Sequence, residues 1–480
     1  MRTASLAAIC AAVGLAACSL APNYARPSSA PAAAAYAEAG DWIEAAPADA
    51  VPRGAWWTVF HDDALNALES QVTAANQGLK AALARLDAAR AQTRIARAGY
   101  FPTISASGAV TRSQTSINSP DYNPAKPATG NDYLAGLDFS YELDLFGRVR
   151  SAVAGARASE QATAGDVATL DLGIHAELAS DYFTLRGLDA QQELLDRTVA
   201  DYSKALELTD NLYRGGAAAI ADVQQAAAQL ELARTQAEDT RLRRSQLEHA
   251  MAVLVGKQPA GFHVDPSPLP LGLAPPAVDP GLPSALVERR PDVAAAERRV
   301  AAANAAIGVA RAAYFPAFSL GGALGRESTA TSSWFTAPSR FWSVGPQGLL
   351  TLIDGGLHRA QSAAARAAYD EQVANYRSTV LGAFQEVEDE LAALRQLERE
   401  SASQAAAVAA TQGALDQANF RYKGGIVTYL EVVATENAAL TARLAAVDIQ
   451  TRRIGATILL IRAIGGGWRA TDPAGGRAGH

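Results

Sequence analysis

The sequence predicts an α + membrane β chain, built by internal duplication, in which long Ala-rich helices run directly into strands long enough to cross a membrane. Three observations predict it. First, Glu288–Leu320 reads as a helix opened by Arg290-Pro291-Asp292 and stopped by Tyr314-Phe315-Pro316, and a similar phrase over Asn76–Gly108 stops at Tyr100-Phe101-Pro102. Pro at the first helical position loses no hydrogen bond, and Asp in the first turn suits the helix dipole. Second, Tyr133, Ala135, Leu137, Phe139, Tyr141 and Leu143 alternate with Leu134, Gly136, Asp138, Ser140, Glu142 and Asp144. One face is apolar and the other mostly acidic or polar, which fits a barrel with a wet lumen. Third, helical periodicity persists over runs of roughly 65 residues, on the order of 100 Å of helix.

The bulk numbers narrow the class. The chain has 480 residues, a net charge of −7 and 7% aromatics. Mild acidity argues against nucleic acid as the main partner. Few aromatics and abundant Ala favour closely packed long helices. Two Cys exclude a disulfide framework. Both lie near the start. Arg2 precedes an apolar run, Leu6–Ala17, too short to span permanently and read as a secretory signal over residues 1–17. Its end, Leu15-Ala16-Ala17-Cys18, resembles the bacterial lipobox, in which the Cys receives lipid; Ser19, a non-acidic residue after it, permits transfer to the outer membrane. No later segment offers about 18 uninterrupted apolar residues, so no transmembrane helix is expected.

In order, residues 18–60 read as a lipid-anchored arm, Pro- and Ala-rich, whose Trp56-Trp57 pair needs burial. Residues 61–256 form the first repeat. Asp62 or Asp63 caps a helix kept in step by Leu65, Leu68, Val72, Leu79, Leu83, Leu86 and Ile95 up to Gly99, on the order of 55 Å as one rod. Strands follow at about 102–113 and 131–145. A helix then runs to Tyr213, breaks at Arg214-Gly215-Gly216, and returns from about Ala219 to Val255. Residues 257–283 are a Pro-rich connector. Residues 284–468 repeat the plan, with strands at about 316–328 and 341–353, helix re-entry at Asp354-Gly355-Gly356, a break at Lys423-Gly424-Gly425 and a last helix to Ile464. Residues 469–480 are expected to be a disordered tail. Three landmarks align between the halves: the Tyr-Phe-Pro sites, Phe146-Gly147-Arg148 with Asp354-Gly355-Gly356, and Tyr213-Arg214-Gly215-Gly216 with Tyr422-Lys423-Gly424-Gly425.

Four strands cannot close a barrel, and an open edge in lipid is not viable. Membrane strands therefore require oligomerisation, and three copies would give twelve strands, an even number. Long helices attached end-on to such strands favour a hollow helical tube. A structural or adhesive outer-membrane lipoprotein, built on periplasmic coiled coil and without transport, explains the helices but not the strands. Catalysis finds no support. The six His, at 61, 175, 249, 263, 358 and 480, form no His-Glu-x-x-His or Cys/His set, and Gly256-Lys257 lacks the upstream Gly of a phosphate loop. Met251 is the one Met beyond the start, which gives no support to a soft-metal route.

The Cys18 lipobox, Trp56-Trp57 to Leu68, Glu288-Arg289-Arg290-Pro291-Asp292, both Tyr-Phe-Pro sites, Asp144-Leu145-Phe146-Gly147 and Asp354-Gly355-Gly356 together resemble the TolC-like outer-membrane factors of tripartite efflux systems. The likeness is to the lipoprotein (NodT-type) branch paired with resistance-nodulation-division pumps, and spans roughly Cys18 to Trp468. It implies a homotrimer with a twelve-stranded outer-membrane β-barrel continued by a periplasmic α-helical barrel. It also implies a passive export duct for drugs or other toxic compounds, served by a periplasmic adaptor (membrane fusion) protein and an inner-membrane transporter, with no chemistry and no cofactor beyond lipid on Cys18. By the same resemblance Tyr100, Phe101, Pro102, Gly147, Tyr314, Phe315, Pro316, Gly355 and Gly356 mark the junction of helices and barrel, and Arg214, Gly215, Gly216, Lys423, Gly424 and Gly425 are turns at which adaptors dock. The periplasmic constriction is placed on Leu430, Ala434 and Asn437, expected on one helix face, with Glu431 and Glu436 beside them. Many relatives carry Asp and Arg where this chain has Ala434 and Asn437, which puts a charged lock there in doubt; Leu430 then forms an apolar ring, or Glu431 or Glu436 supplies the charge if the face is rotated.

Overall fold

The structure, a computed structural model, describes residues 20–28, 36–37, 54–120, 122–125, 127–270, 272, 274–276, 278 and 289–466. Cys18, the signal segment and the tail from residue 467 lie outside the described residues. The helices are α1 (Asp63–Ala75), α2 (Gln77–Ala98), α3 (Arg148–Arg214), α4 (Ile220–Leu254), α5 (Pro291–Ala312), α6 (Leu357–Lys423) and α7 (Tyr429–Ala463). The strands are β1 (Thr103–Gln114), β2 (Thr129–Leu143), β3 (Ala317–Ser328) and β4 (Arg340–Leu349). The described residues divide into two compact units, one holding those within 1–27, 85–164 and 295–376, the other those within 28–84, 165–294 and 377–480.

The first unit contains the sheet. Its strands pair antiparallel in chain order, β1-β2-β3-β4, so β1 and β4 are left as edges. The register puts Leu137 opposite Ala106 and Leu324, and Trp342 opposite Leu324. Because side chains alternate across a strand, this sorts the sheet into an apolar face and a polar face. Gly325 exists for contact. A Cβ there would lie 2.4 Å from the Ala135 carbonyl oxygen and 2.8 Å from Phe341, whose ring covers Gly136 and Gly325. The fourth strand stops at Leu349, short of the expected 353; Leu352 and Ile353 are exposed beyond it. The arm residues of this unit lie along α5. Asn304 donates to the Pro22 carbonyl at 2.8 Å, Arg26 pairs with Glu297 at 3.3 Å, and Gly308 leaves room for Ala21.

The second unit is helical. The single 55 Å rod expected from Asp62 to Gly99 is a correction: it breaks at Asn76. Asn76 is extended, with ψ 124, and its Oδ1 accepts from the Leu79 amide at 2.9 Å to start α2. Its Nδ2 donates to the Leu254 carbonyl at the end of α4, 2.8 Å away. A capping side chain that also ties down another helix favours two helices over one. Asp62 is the cap of α1, accepting from Leu65 at 2.9 Å. Trp56 is 1% exposed, and Trp57 stacks on His175 at 4.4 Å, so the pair finds its burial here.

Two charge clusters pin this unit. Asp189, buried on α3, holds Arg186 at 3.1 Å and Arg244 of α4 at 2.6 Å and accepts the Ser267 amide, while the two arginines donate to the Asp265 and Val264 carbonyls. The start of the connector is thereby tied to both helices. Arg290, 7% exposed, meets Asp292 at 2.6 Å and Glu386 of α6 at 2.7 Å and donates to the Ala463 carbonyl at the end of α7. Asp292 is thus more than a dipole partner at a helix start. It is one jaw of a clamp that joins the beginning of α5 to α6 and α7.

Candidate functional site

In the second unit two turns end the long helices in the same way. Gly216, φ 76, donates to Tyr213 and the Ala217 amide reaches back to Leu212, while Gly425, φ 70, donates to Tyr422 and Ile426 reaches back to Arg421. A positive φ is cheap only for glycine, and this paired bonding satisfies carbonyls that the helix leaves orphaned. Arg214, Gly215, Gly216, Lys423, Gly424 and Gly425 are all exposed.

Behind the turns, Ala226 of α4, Ala418 of α6 and Tyr429, Val432 and Val433 of α7 form one core, with Leu206 of α3 packed on it. The five residues expected at a constriction are not treated alike. Leu430 is 60% exposed and Ala434 is exposed beside it one turn on. Asn437, two turns from Leu430 on the same face, is part-buried: Tyr202 donates to its Oδ1 at 3.0 Å and its Nδ2 donates to Gln229 at 2.9 Å. An amide satisfied from α3 and α4 has no reason to turn to solvent. Glu431 reaches across the turn to Arg421 at 2.6 Å, tying α6 to α7. Tyr202, Gln229 and Arg421 were not singled out from sequence. Their partners lie on other elements, and nothing in the local pattern points to them.

Glu436 is half-buried, and its Oε2 has no hydrogen-bond partner among the described residues. Burial pushes its carboxyl up to about 7, and Asp201 on α3 adds repulsion. Tyr202 and Tyr429 also face it, each raised chiefly by burial. A carboxyl raised in the folded state carries a penalty only when ionised. The penalty is absent below its ordinary value of 4.5 and complete once pH has risen through about 7. The packing of α7 on α3 should therefore be firmer at pH ~5 than at pH ~8. Amide protection factors in α7 should fall across that range, and Glu436→Gln should flatten the fall; an unchanged profile in the variant would assign the effect elsewhere.

In the first unit the expected junction residues form matched devices. Asp144 accepts from the Val149 and Arg150 amides at 3.0 and 2.8 Å, capping α3, and Asp354 accepts from Gly356 and His358, both at 2.8 Å, capping α6. Gly147, Gly355 and Gly356 take φ of 77, 63 and 91 to turn from sheet to helix. Phe146 stacks on Phe315 at 4.7 Å, and Tyr314 lies 5.7 Å from His358. Tyr100-Phe101-Pro102 and Tyr314-Phe315-Pro316 each end a helix and lead into a strand within a few residues.

Residues 68–257 and 282–466 match the outer membrane efflux protein family, one segment for each half of the duplication. The chain belongs to that family. It is 34% identical over 464 residues to outer membrane protein OprJ of Pseudomonas aeruginosa, covering 96% of each chain. It is 33% identical over 455 residues to toluene efflux pump outer membrane protein TtgC of Pseudomonas putida, covering 94% of this chain and 93% of that one. A crystal structure of a membrane protein from Pseudomonas aeruginosa superposes with a TM-score of 0.84 at 33% identity, covering 93% of this chain and all of that one. The fold is that of the family, a trimeric outer-membrane β-barrel with four strands per chain and a long periplasmic α-helical barrel. This outer membrane efflux protein is a channel that extends into the periplasm.

Proposed function

We propose that this efflux channel is the passive outer duct of a tripartite pump, lipid-anchored through Cys18 and working as a homotrimer. A periplasmic adaptor seats on the two glycine turns and a resistance-nodulation-division transporter in the inner membrane delivers small toxic compounds. The chain itself performs no chemistry and needs no cofactor; energy comes from the transporter. The observation that carries this reading is the duplicated pair of turns, alike in bonding and exposed, at the ends of the two longest helices. Leu430 and Ala434 close the tip as an apolar constriction, with the Arg421–Glu431 pair holding α7 in place. Deletion in the native host, followed by a susceptibility panel, tests the assignment. Sensitivity to several unrelated toxic compounds should rise, with rescue by the intact gene; an unchanged panel would sink it.

The polar face of the sheet adds an expectation about selectivity. The strands carry Asp132, Asp138, Glu142 and Glu327 on that face and no Lys or Arg, and of the four Glu142 is paired with Arg148 at the start of α3. Rings of carboxylates favour cations. In planar bilayers under a KCl gradient the reversal potential should show cation preference, weakened by Asp132→Asn with Asp138→Asn.

A further inference from the structure

The register divides charge by sign between the faces of the sheet. The polar face carries only acids. The apolar face, with Ile104, Val110, Leu137, Leu324, Trp342 and Val344, carries three charged residues, and all are arginines: Arg112, Arg326 and Arg340. No carboxylate shares that face. In a barrel with a wet lumen the apolar face meets lipid. Arg326 and Arg340 stand directly opposite one another in the β3–β4 ladder. Like charges so placed destabilise a sheet, and lipid screens them poorly. A bound anion removes that cost.

Their position says which anion is within reach. Arg326 lies two residues before the end of β3, and Arg340 is the first residue of β4. This is the loop end of the strands; the helices join at the other end. In an outer-membrane channel whose helices are periplasmic, the loop end lies at the outer leaflet. Aromatic rings mark the same level: Tyr133 of the apolar face lies 5.5 Å from Trp334, and Trp342 is two residues from Arg340. The Arg326 guanidinium is held in place, donating from Nη1 to the Thr336 carbonyl at 2.7 Å and to the Phe335 carbonyl, and lying 5.9 Å from the Phe335 ring. Arg340 is exposed. A fixed guanidinium beside one that has no partner among the described residues is a fork pair suited to a phosphate, which accepts bidentate bonds from each.

We propose that Arg326 and Arg340, side by side on the lipid-facing side of the β3–β4 ladder, dock the phosphate groups of lipopolysaccharide in the outer leaflet. Charge complementarity and level both favour that lipid. The test uses the purified trimer in neutral detergent and follows the temperature at which it dissociates. Bisphosphorylated lipid A should raise that temperature, and the same lipid A stripped of phosphate should not. Arg340→Gln should lose most of the rise, Arg340→Lys should keep part of it, and Glu327→Gln, on the opposite face, should keep all of it. An Arg340→Gln trimer that assembles and retains the full rise overturns the proposal. So does an equal rise with the dephosphorylated lipid, which would leave only the apolar belt. Inorganic phosphate reproducing the rise would overturn the lipid assignment. If Arg340→Gln fails to assemble, the comparison of the two lipids on the unaltered trimer decides.

Discussion

Leu430→Ser should raise single-channel conductance several-fold in planar bilayers, while leaving the trimer intact. Leu430 is an exposed apolar residue just inside the turn that starts α7, with Ala434 one turn beyond it. Nothing in its own chain's core depends on it, because Val432, Val433 and Tyr429 fill that role. An apolar ring at a narrow passage gates by excluding water, and a hydroxyl readmits it. The same change should sensitise cells to large antibiotics. Conductance equal to the unaltered channel would remove Leu430 from the constriction. Arg421→Ala is the companion: it frees Glu431 and unties α6 from α7 at the turn. Since both partners are about half exposed, its effect on overall stability should be small and its effect on opening larger.

Arg290→Leu should have the largest effect on stability. The guanidinium is nearly fully buried and serves Asp292, Glu386 and the Ala463 carbonyl. Removing one partner of a buried ion pair leaves uncompensated charge and costs about 3–5 kcal/mol. The lower end applies, because Glu386 is 45% exposed and regains water. Heat dissociation of the trimer should shift down markedly and yield of assembled protein should fall. Arg290→Lys should rescue little, since one ammonium cannot reproduce a planar fork that serves three partners. If Arg290→Leu melts with the unaltered protein, the clamp is not what holds the start of α5 and the end of α7 to the middle of α6.

The clamp also shows where the sequence was legible. Pro291 at the helix start and Asp292 in its first turn follow from local rules, and the structure has α5 beginning there. What Arg290 does was not visible, because two of its three partners are 96 and 173 residues away. The rod expected through Asn76 failed for a related reason. Helical steps in Leu68, Val72 and Leu79 continue across the break, and only the Leu254 carbonyl gives the Asn76 amide reason to interrupt them. The tip divides in the same way. Leu430 and Ala434 are exposed, as a strip of helix face would be. Asn437 is not, because Tyr202 and Gln229 claim its amide from two other helices.

The sequence by itself determined the fold class, the duplication, the order of strands and long helices and the glycine turns. These rest on periods of 2 and 3.6 and on residues with restricted or permissive φ, all of which are local properties. Tertiary structure alone decided which polar groups are satisfied, which strand residues stand opposite one another and where charge is left over. Three of the four acids lie on β2, where alternation alone lines them up, but the three arginines lie on three separate strands, and only the register collects them. Pairing energy depends on distance in space, which periodicity along the chain does not encode.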